Sequence, residues 1–249
     1  MPMELLDVQC GFGTAPGQRQ PVTAADLCDE MERIGVGAGL VRLTPPTLHF
    51  DIAAGNAALY AVHDQSPALI PCPVVIPDAA HDLPSNDAQA AEAVGHGAGA
   101  VCIRPRTDCW SLAPWASDGL FRALSARRLP VLCSSDEVPL EELGGLAGRH
   151  RGLPLVILGA NYRQQRILAP LLEHFPNTYL SIGSNYCVHH GIEALVGAVG
   201  PTRLLFGTGF PDVDMLPTVT YLSYADIPDD AKRLIGAGNL RRLMREVVR

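Results

Sequence analysis

The chain has 249 residues, of which 47% are hydrophobic and 18% charged. This composition is typical of a globular protein whose core is large enough to fold without disulfides or structural metals. Its 19 Lys and Arg against 26 Asp and Glu give a net charge of −7, which excludes a nucleic-acid surface built from clustered positive charge. A small anionic or neutral ligand remains compatible with this charge, because a local arginine cluster overrides the net sign.

Seven cysteines are scattered along the chain without a CxxC pair. Single thiols of this kind are typical of buried small residues in a reducing compartment. No apolar run approaches the roughly 18 residues of a membrane span, and residues 1–13 lack the basic and apolar regions of a signal peptide. These features predict a cytoplasmic protein.

The first structural unit consists of a strand, a loop and a helix. Residues 4–10 predict a strand, and the glycines and proline of residues 11–20 predict a loop. Thr23 is suited to cap a helix that ends before Gly35. The apolar face of this helix is formed by Leu27, Met31 and Ile34.

The same unit repeats along the chain. Seven further apolar runs predict strands at residues 39–43, 69–76, 100–104, 129–133, 153–158, 178–182 and 203–207. Helices are predicted between and after them at residues 51–64, 86–96, 115–127, 140–150, 163–174, 191–199 and 217–224. Buried strands that alternate with helices predict a parallel sheet with right-handed crossovers, and closure into one α/β (β/α)8 TIM barrel suits this length. We expect a single domain over residues 1–249.

The stretch that carries a family resemblance is residues 203–214, RLLFGTGFPDVD. It resembles the last-strand motif R-[LV]-[LM]-[FY]-G-[ST]-D-x-P of the metal-dependent hydrolases of the amidohydrolase superfamily, in the branch of small decarboxylases and hydrolases. The Asp of that motif is replaced here by Gly209. Residues 226–249 resemble the terminal helix pair of the family, with its Gly-Asn-x-x-Arg-Leu signature at residues 238–243.

The resemblance also identifies five positions that bind a divalent metal in the family: two histidines at the end of the first strand, one at the end of each of the fifth and sixth strands, and the Asp of the eighth. The residues at these positions here are Gln9, Gly11, Ser134, Ala160 and Gly209. Zinc requires three or four N, S or O ligands, which these residues do not supply. We therefore expect a degenerate member of the superfamily, with no metal and no cofactor at the barrel mouth.

Functional residues of such barrels lie at the carboxyl ends of the strands, so we expect the site residues in the loops that follow the strands. The candidate substrate-binding residues are Gln9, Arg104, Arg106, Asn161, Tyr162, Arg163, Asn185 and Tyr186. The candidate catalytic residues are His189, Asp212 and Ser134. Arginine side chains at these positions are suited to bind a carboxylate through paired hydrogen bonds, and His or Asp to act as a general acid or base. A purely structural role for Arg106 and Arg163 stays open, and Ser134 has no recognisable partner base.

Three functions compete. The first is a metal-independent hydrolase or lyase that acts on a small carboxylate-bearing metabolite. The second is an inactive relative that binds a small molecule or assembles with an active homologue, since metal-activated water is the usual nucleophile of the family. The third, a metal enzyme with a relocated site at His189, His190, Asp212 and Asp214, is the least favoured, because adjacent histidines rarely converge on one ion. By analogy with the family we expect a homodimer.

Overall fold

The computed structural model describes residues 3–14, 20–44 and 51–249, in which parallel strands alternate with helices around a barrel. The strands are β1 (Leu6–Phe12), β2 (Ala38–Leu43), β3 (Leu69–Pro71), β4 (Val101–Ile103), β5 (Val131–Ser134), β6 (Leu155–Leu158), β7 (Thr178–Ile182) and β8 (Leu204–Phe206). The helices are α1 (Ala24–Ile34), α2 (Ile52–Gln65), α3 (Asn86–Gly95), α4 (Pro114–Ala126), α5 (Leu140–Arg149), α6 (Gln165–His174), α7 (Gly191–Val199), α8 (Leu216–Tyr224), α9 (Asp229–Arg233) and α10 (Asn239–Arg245). The expected (β/α)8 barrel with a C-terminal helical extension is confirmed.

Several strands begin later or end earlier than the sequence predicts, and prolines account for much of the difference. A proline has no N–H to donate within a strand ladder. Because of Pro130, β5 begins at Val131, whose N–H donates to the carbonyl of Pro154 (2.9 Å). In contrast, β1 continues to Phe12, so the loop predicted over residues 11–20 begins later, and its residues 15–19 lie outside the described part of the chain.

Helix α1 has both predicted ends. Thr23 Oγ1 accepts a hydrogen bond from the Asp26 N–H (3.1 Å), and the Asp26 carboxylate accepts one from the Thr23 N–H (2.8 Å). This reciprocal capping satisfies two N–H groups at the start of the helix. Gly35 ends it in the left-handed region at φ 79°, a conformation that glycine adopts without a steric penalty.

The barrel closes between β1 and β8 through a buried carboxylate. Asp7 Oδ1 accepts hydrogen bonds from the N–H groups of Gln9 (2.8 Å) and Thr208 (3.0 Å). Asp7 Oδ2 accepts the Thr208 hydroxyl proton (2.5 Å), and both side chains are fully buried. The Gly209 N–H also donates to the Gln9 carbonyl (2.7 Å). The first part of β1 is thus joined to the segment that directly follows β8.

A β-bulge in β1 determines which residues face the barrel axis. The register against β2 shifts between Asp7 and Cys10, so β1 contains one extra residue. Leu6 and Val8 pack in the interior cluster, and simple alternation would turn Cys10 inward as well. Cys10 instead packs in the outer cluster between strands and helices. The extra residue therefore directs Gln9 toward the open end of the barrel.

The C-terminal extension closes the opposite end. Ala237, Leu240 and Leu243 belong to the interior cluster, together with side chains from the strands. The Asn239 Nδ2 donates to the carbonyls of Pro201 and Leu204, both at 2.8 Å. One end of the barrel is filled by this packing, which leaves the carboxyl ends of the strands as the accessible end. Among the described residues, no helix is long and apolar enough to cross a bilayer.

Replacing Thr208 by Val tests the closure. The change removes the hydroxyl donor to Asp7, and we expect the free energy of unfolding to fall by about 1–3 kcal/mol. Burial raises the pKa of Asp7, while its hydrogen bonds with Thr208 and Gln9 oppose that rise. Losing a donor raises this pKa further, so stability should be lost as pH rises and the carboxylate ionises, and the deficit relative to wild type should grow from pH 4 to pH 8.

Chemical denaturation at several pH values measures this deficit. Thr220→Val, on the exposed surface of α8, is the matched control and should change stability little. A deficit of Thr208→Val that shrinks as pH rises would contradict the role assigned to the Asp7 carboxylate.

Candidate functional site

A cavity of about 270 Å³ opens at the carboxyl ends of the strands, and we name it the mouth cavity. It is lined by residues from the strand ends and the loops that follow them, as expected for a site in such a barrel. All five positions singled out in the sequence for metal binding line it, namely Gln9, Gly11, Ser134, Ala160 and Gly209. The structure therefore brings these positions together in one place.

The polar groups contributed by β1 and β7 bond to each other. Ser181 Oγ donates to Gln9 Oε1 at 3.0 Å. This bond holds the Gln9 amide against the cavity wall, and the Gln9 Nε2 lies 3.7 Å from where a side chain on Gly209 would begin. The amide thus occupies part of the space beside the eighth-strand position.

Two of the five positions have backbone that disfavours any side chain. A Cβ on Gly11 would lie 2.6 Å from the carbonyl oxygen of Arg42, a backbone atom that cannot move aside freely. Gly209 has φ 81°, and a Cβ there would meet Val213 at 3.0 Å. Side chains at both positions therefore require strand and loop movements as well as a sequence change.

Arg42 on β2 is a functional candidate that the sequence predictions missed. It lies opposite Gly11 in the strand register and lines the mouth cavity. Its Nη1 is 4.0 Å from Cys102 Sγ, and its Nε is buried without a hydrogen-bond partner. Among the described residues no carboxylate lies within ion-pair distance of Arg42. The available signal was a lone arginine inside an apolar strand, AGLVRL, since buried charges are rare without a role.

Arg104, which the sequence did nominate, lies at the end of β4 and lines the same cavity. Its Nε and Nη2 donate to Asp108 at 3.1 and 2.7 Å, and the two side chains are only 7% and 9% exposed. Its Nη1 is buried and has no partner. Because an unsatisfied buried donor costs about 1–3 kcal/mol, this N–H favours a ligand with an acceptor oxygen.

Three carboxyl groups are candidates for proton transfer in the cavity. Asp136, Glu137 and Asp212 line it, and no histidine among the described residues does. Partial burial raises the pKa of Asp212, while the positive charge of Arg42 acts in the opposite direction. Glu137 is engaged by the Thr107 backbone N–H at 2.9 Å and by the Thr107 hydroxyl at 2.5 Å. Asp212 is consequently a carboxyl suited to gain or lose a proton.

The other nominated residues divide between the cavity and its surroundings. Ser134 and Asn185 line it, and Ser134 Oγ accepts the Asp136 N–H at 3.2 Å. The nominated residues outside the lining are Arg106, Asn161, Tyr162, Arg163, Tyr186 and His189.

The residues outside the lining have other surroundings. Asn161 caps the turn before α6 by accepting the Arg163 N–H at 2.9 Å, and the Arg163 guanidinium lies over the Tyr162 ring. Tyr186 is 1% exposed, and burial raises its pKa. The His189 side chain is exposed beside His190, with ring centres 4.1 Å apart.

A divalent metal does not fit the donors of this site. The five positions supply an amide, a hydroxyl, a methyl group and two glycines, and Arg42 and Arg104 line the same cavity. Within residues 3–14, 20–44 and 51–249, no group of three His, Cys, Asp or Glu is arranged to hold a metal ion. The four residues considered for a relocated metal site do not lie together either. Asp212 lines the mouth cavity, whereas His190 and Asp214 line a groove beside α8.

Comparison with protein families gives one clear match. The sequence profile described as Amidohydrolase matches residues 23–245. No curated protein matches the chain at a significant level.

Solved structures of the same fold cover nearly the whole chain. A 5-carboxyvanillate decarboxylase from Sphingomonas paucimobilis superposes with a TM-score of 0.76 at 15% identity, over 98% of this chain and 99% of that one. An uncharacterized TIM-barrel protein from Bordetella bronchiseptica gives 0.75 at 18% identity, with the same coverage. A dihydroxybenzoic acid decarboxylase from a Polaromonas species, solved with bound manganese and the inhibitor 2-nitroresorcinol, gives 0.74 at 14% identity over 98% and 97%. These similarities support the barrel fold.

Gly11→Ala tests the backbone constraint at the mouth. The added methyl would overlap the Arg42 carbonyl, and we expect a loss of about 1–3 kcal/mol in unfolding free energy. Gly95→Ala at the end of α3 is the matched control, since a Cβ there has no atom within 4 Å, and it should be neutral or slightly stabilising. Equal denaturation midpoints for the two variants would show that the β1–β2 backbone accommodates a side chain at position 11.

Proposed function

Because the chain belongs to the Amidohydrolase family, we propose that it is a metal-independent hydrolase or lyase that binds a small carboxylate-bearing metabolite in the mouth cavity. The observation that carries the proposal is the pair of guanidinium groups lining the cavity, each with a buried N–H that has no partner. Arginine donors suit carboxylate oxygens in geometry and charge. Positive charge here takes the place that a divalent cation holds in the metal-dependent family members.

The nature of the ligand is supported by the neighbouring structures. Two of the enzymes with this fold are named for aromatic carboxylic acids, 5-carboxyvanillate and dihydroxybenzoic acid. The mouth cavity combines cationic groups with apolar walls from Val74, Ile103 and Leu158. That combination suits a planar acid whose carboxylate faces the arginines and whose ring lies against the aliphatic side chains.

Asp212 is the proposed proton carrier. Partial burial raises its pKa, and this is the direction of shift that suits a general acid. Arg42 opposes that rise, so the protonation state of Asp212 depends on whether the charge of Arg42 is neutralised by a ligand. Binding of an anion and uptake of a proton are therefore coupled in the proposed mechanism.

A non-catalytic binder is the second candidate. It is favoured by the residues at the five family metal positions, which leave no means of activating water on a metal. This alternative keeps the carboxylate site and loses only the chemical step, and the partner would be a small molecule or an active homologue. Turnover by protein freed of metal with a chelator separates the two candidates. Turnover that disappears with chelator and returns with zinc or manganese would overturn both.

Arg104→Met tests the carboxylate site with benzoate as the probe. We expect its dissociation constant, measured by calorimetry, to rise about 10- to 100-fold, the range for losing a charge-assisted pair. Arg104→Lys keeps the charge but not the planar fork, so an intermediate loss is expected. Arg106→Met and Arg163→Met are matched controls, because these exposed arginines do not line the cavity, and they should bind benzoate as the wild type does. Equal losses in all three Met variants would indicate a diffuse charge effect and contradict the site.

The pH dependence of benzoate binding tests the role of Asp212. Ionised Asp212 repels an anion, so the dissociation constant should rise as pH increases through the pKa of this carboxyl. Binding should take up a proton, which calorimetry in buffers of different ionisation enthalpy measures directly. Asp212→Asn removes the titrating group. We expect this variant to bind benzoate more tightly than the wild type at pH 8, with a dissociation constant that does not change as pH passes through the pKa of Asp212 in the wild type. A wild-type affinity that is independent of pH would rule out the coupling.

A further inference from the structure

Cys102 on β4 is a nucleophilic side chain to which the sequence and the family assign no role. Its side chain belongs to the interior cluster, is 3% exposed and lines the mouth cavity. The Arg42 Nη1 lies 4.0 Å from its sulfur, and the Ile103 carbonyl lies 3.9 Å away. The sulfur therefore lies within reach of a cationic group at the wall of the cavity.

The surroundings of Cys102 indicate that a ligand reaches this sulfur. Arg104, two residues further along the chain and just past the end of β4, lines the same cavity with its side chain 93% buried, and its Nη1 has no partner. The Arg42 Nε is also buried and unpartnered. Two unsatisfied cationic donors in the same cavity as the thiol favour an anion there, next to a nucleophile.

We propose that Cys102, paired with Arg42, is a covalent nucleophile of the mouth cavity, which attacks the carbonyl carbon of a carboxylate-bearing ester or lactone held by Arg104. This inference rests on the proposed function and names its substrate class. Cys102 is a catalytic residue in this assignment, and Arg42 both stabilises its thiolate and contacts the bound anion.

The reaction balances with groups already in the cavity. The thiolate forms a C–S bond to the carbonyl carbon, the ester C–O bond breaks, and the departing alkoxide takes the proton that Asp212 carries. Water then attacks the thioester, the C–S bond breaks, and the thiolate is regenerated with a free carboxylate. Of the two protons released in this second step, one returns to Asp212 and the other leaves with solvent. The net change is hydrolysis of one ester bond.

Alkylation of the intact protein with iodoacetate and iodoacetamide tests the site, with each cysteine followed by peptide mass spectrometry. Iodoacetate carries a carboxylate, which the arginines are expected to bind. The ratio of the iodoacetate rate to the iodoacetamide rate should therefore be about ten-fold higher at Cys102 than at the exposed Cys109. Benzoate should protect Cys102 and leave Cys109 unchanged. Cys72, an interior thiol that does not line the cavity, is the matched control for burial and should stay unmodified.

Variants of Arg42 separate activation from access. Arg42→Met should slow alkylation of Cys102 about ten-fold, because its thiolate loses the neighbouring cation. Arg42→Lys should keep part of the alkylation rate. If Cys109 is labelled as in the wild type and Cys72 stays unmodified, both variants are folded. The proposal is overturned if Cys102 reacts no faster than Cys72, or if its rate is unaffected by both Arg42→Met and benzoate.

An ester probe tests the covalent step. With 4-nitrophenyl acetate we expect a burst of nitrophenolate and an acetyl group on Cys102, both absent in Cys102→Ser. Nitrophenolate release by Cys102→Ser at the wild-type rate would overturn the nucleophile. Calorimetry with benzoate on the same variant distinguishes the two hypotheses. If benzoate binds normally and Cys102 is inert, only this inference fails, whereas absence of benzoate binding to the wild type refutes the proposed function.

Discussion

The whole mouth depends on the hydrogen bonds between Asp7 and Thr208. This buried pair joins the first and last strands where the barrel would otherwise open, and it does so beside Gln9 and Gly209. Closure by a carboxylate with three donors is directional, whereas closure by apolar packing alone would allow the strands to slide. The relative positions of β1 and β8, and therefore the shape of the cavity between them, follow from this contact.

The bulge in β1 is the second constraint, because it turns Gln9 toward the cavity and brings Gly11 against the Arg42 carbonyl. The backbone of Arg42 leaves no room for a side chain at position 11, and the same backbone carries the Arg42 side chain into the cavity. The absence of a side chain at Gly11 on β1 is therefore geometrically linked to the position of the Arg42 guanidinium on β2. A residue with a Cβ at position 11 would displace the strand that carries the arginine.

The fold was largely predictable from sequence, because eight apolar runs separated by amphipathic helices carry both the order and the direction of the strands. The first and last residues of the strands were less predictable, since β5 begins only after Pro130 and β1 continues past its predicted end. The site was predictable only in part. Loop residues such as Asp212 and Asn185 lie at the cavity, whereas Arg42 falls within a strand and was overlooked. The Asp7–Thr208 contact spans 201 residues, and no local pattern marks the bulge that accompanies it.

The charge at the mouth limits which reactions are reasonable for this chain. A divalent cation concentrates charge on a small centre and lowers the pKa of bound water toward 7, whereas a guanidinium spreads one charge over a plane and has no such effect on water. Arg42 and Arg104 are therefore suited to hold an anion and stabilise negative charge that develops beside it. Under the proposed function, the nucleophile comes from the protein or the substrate, and a carboxyl such as Asp212 supplies the proton. The proposed covalent route through Cys102 agrees with this limit, because it requires a cation only to hold the anion and does not require metal-activated water.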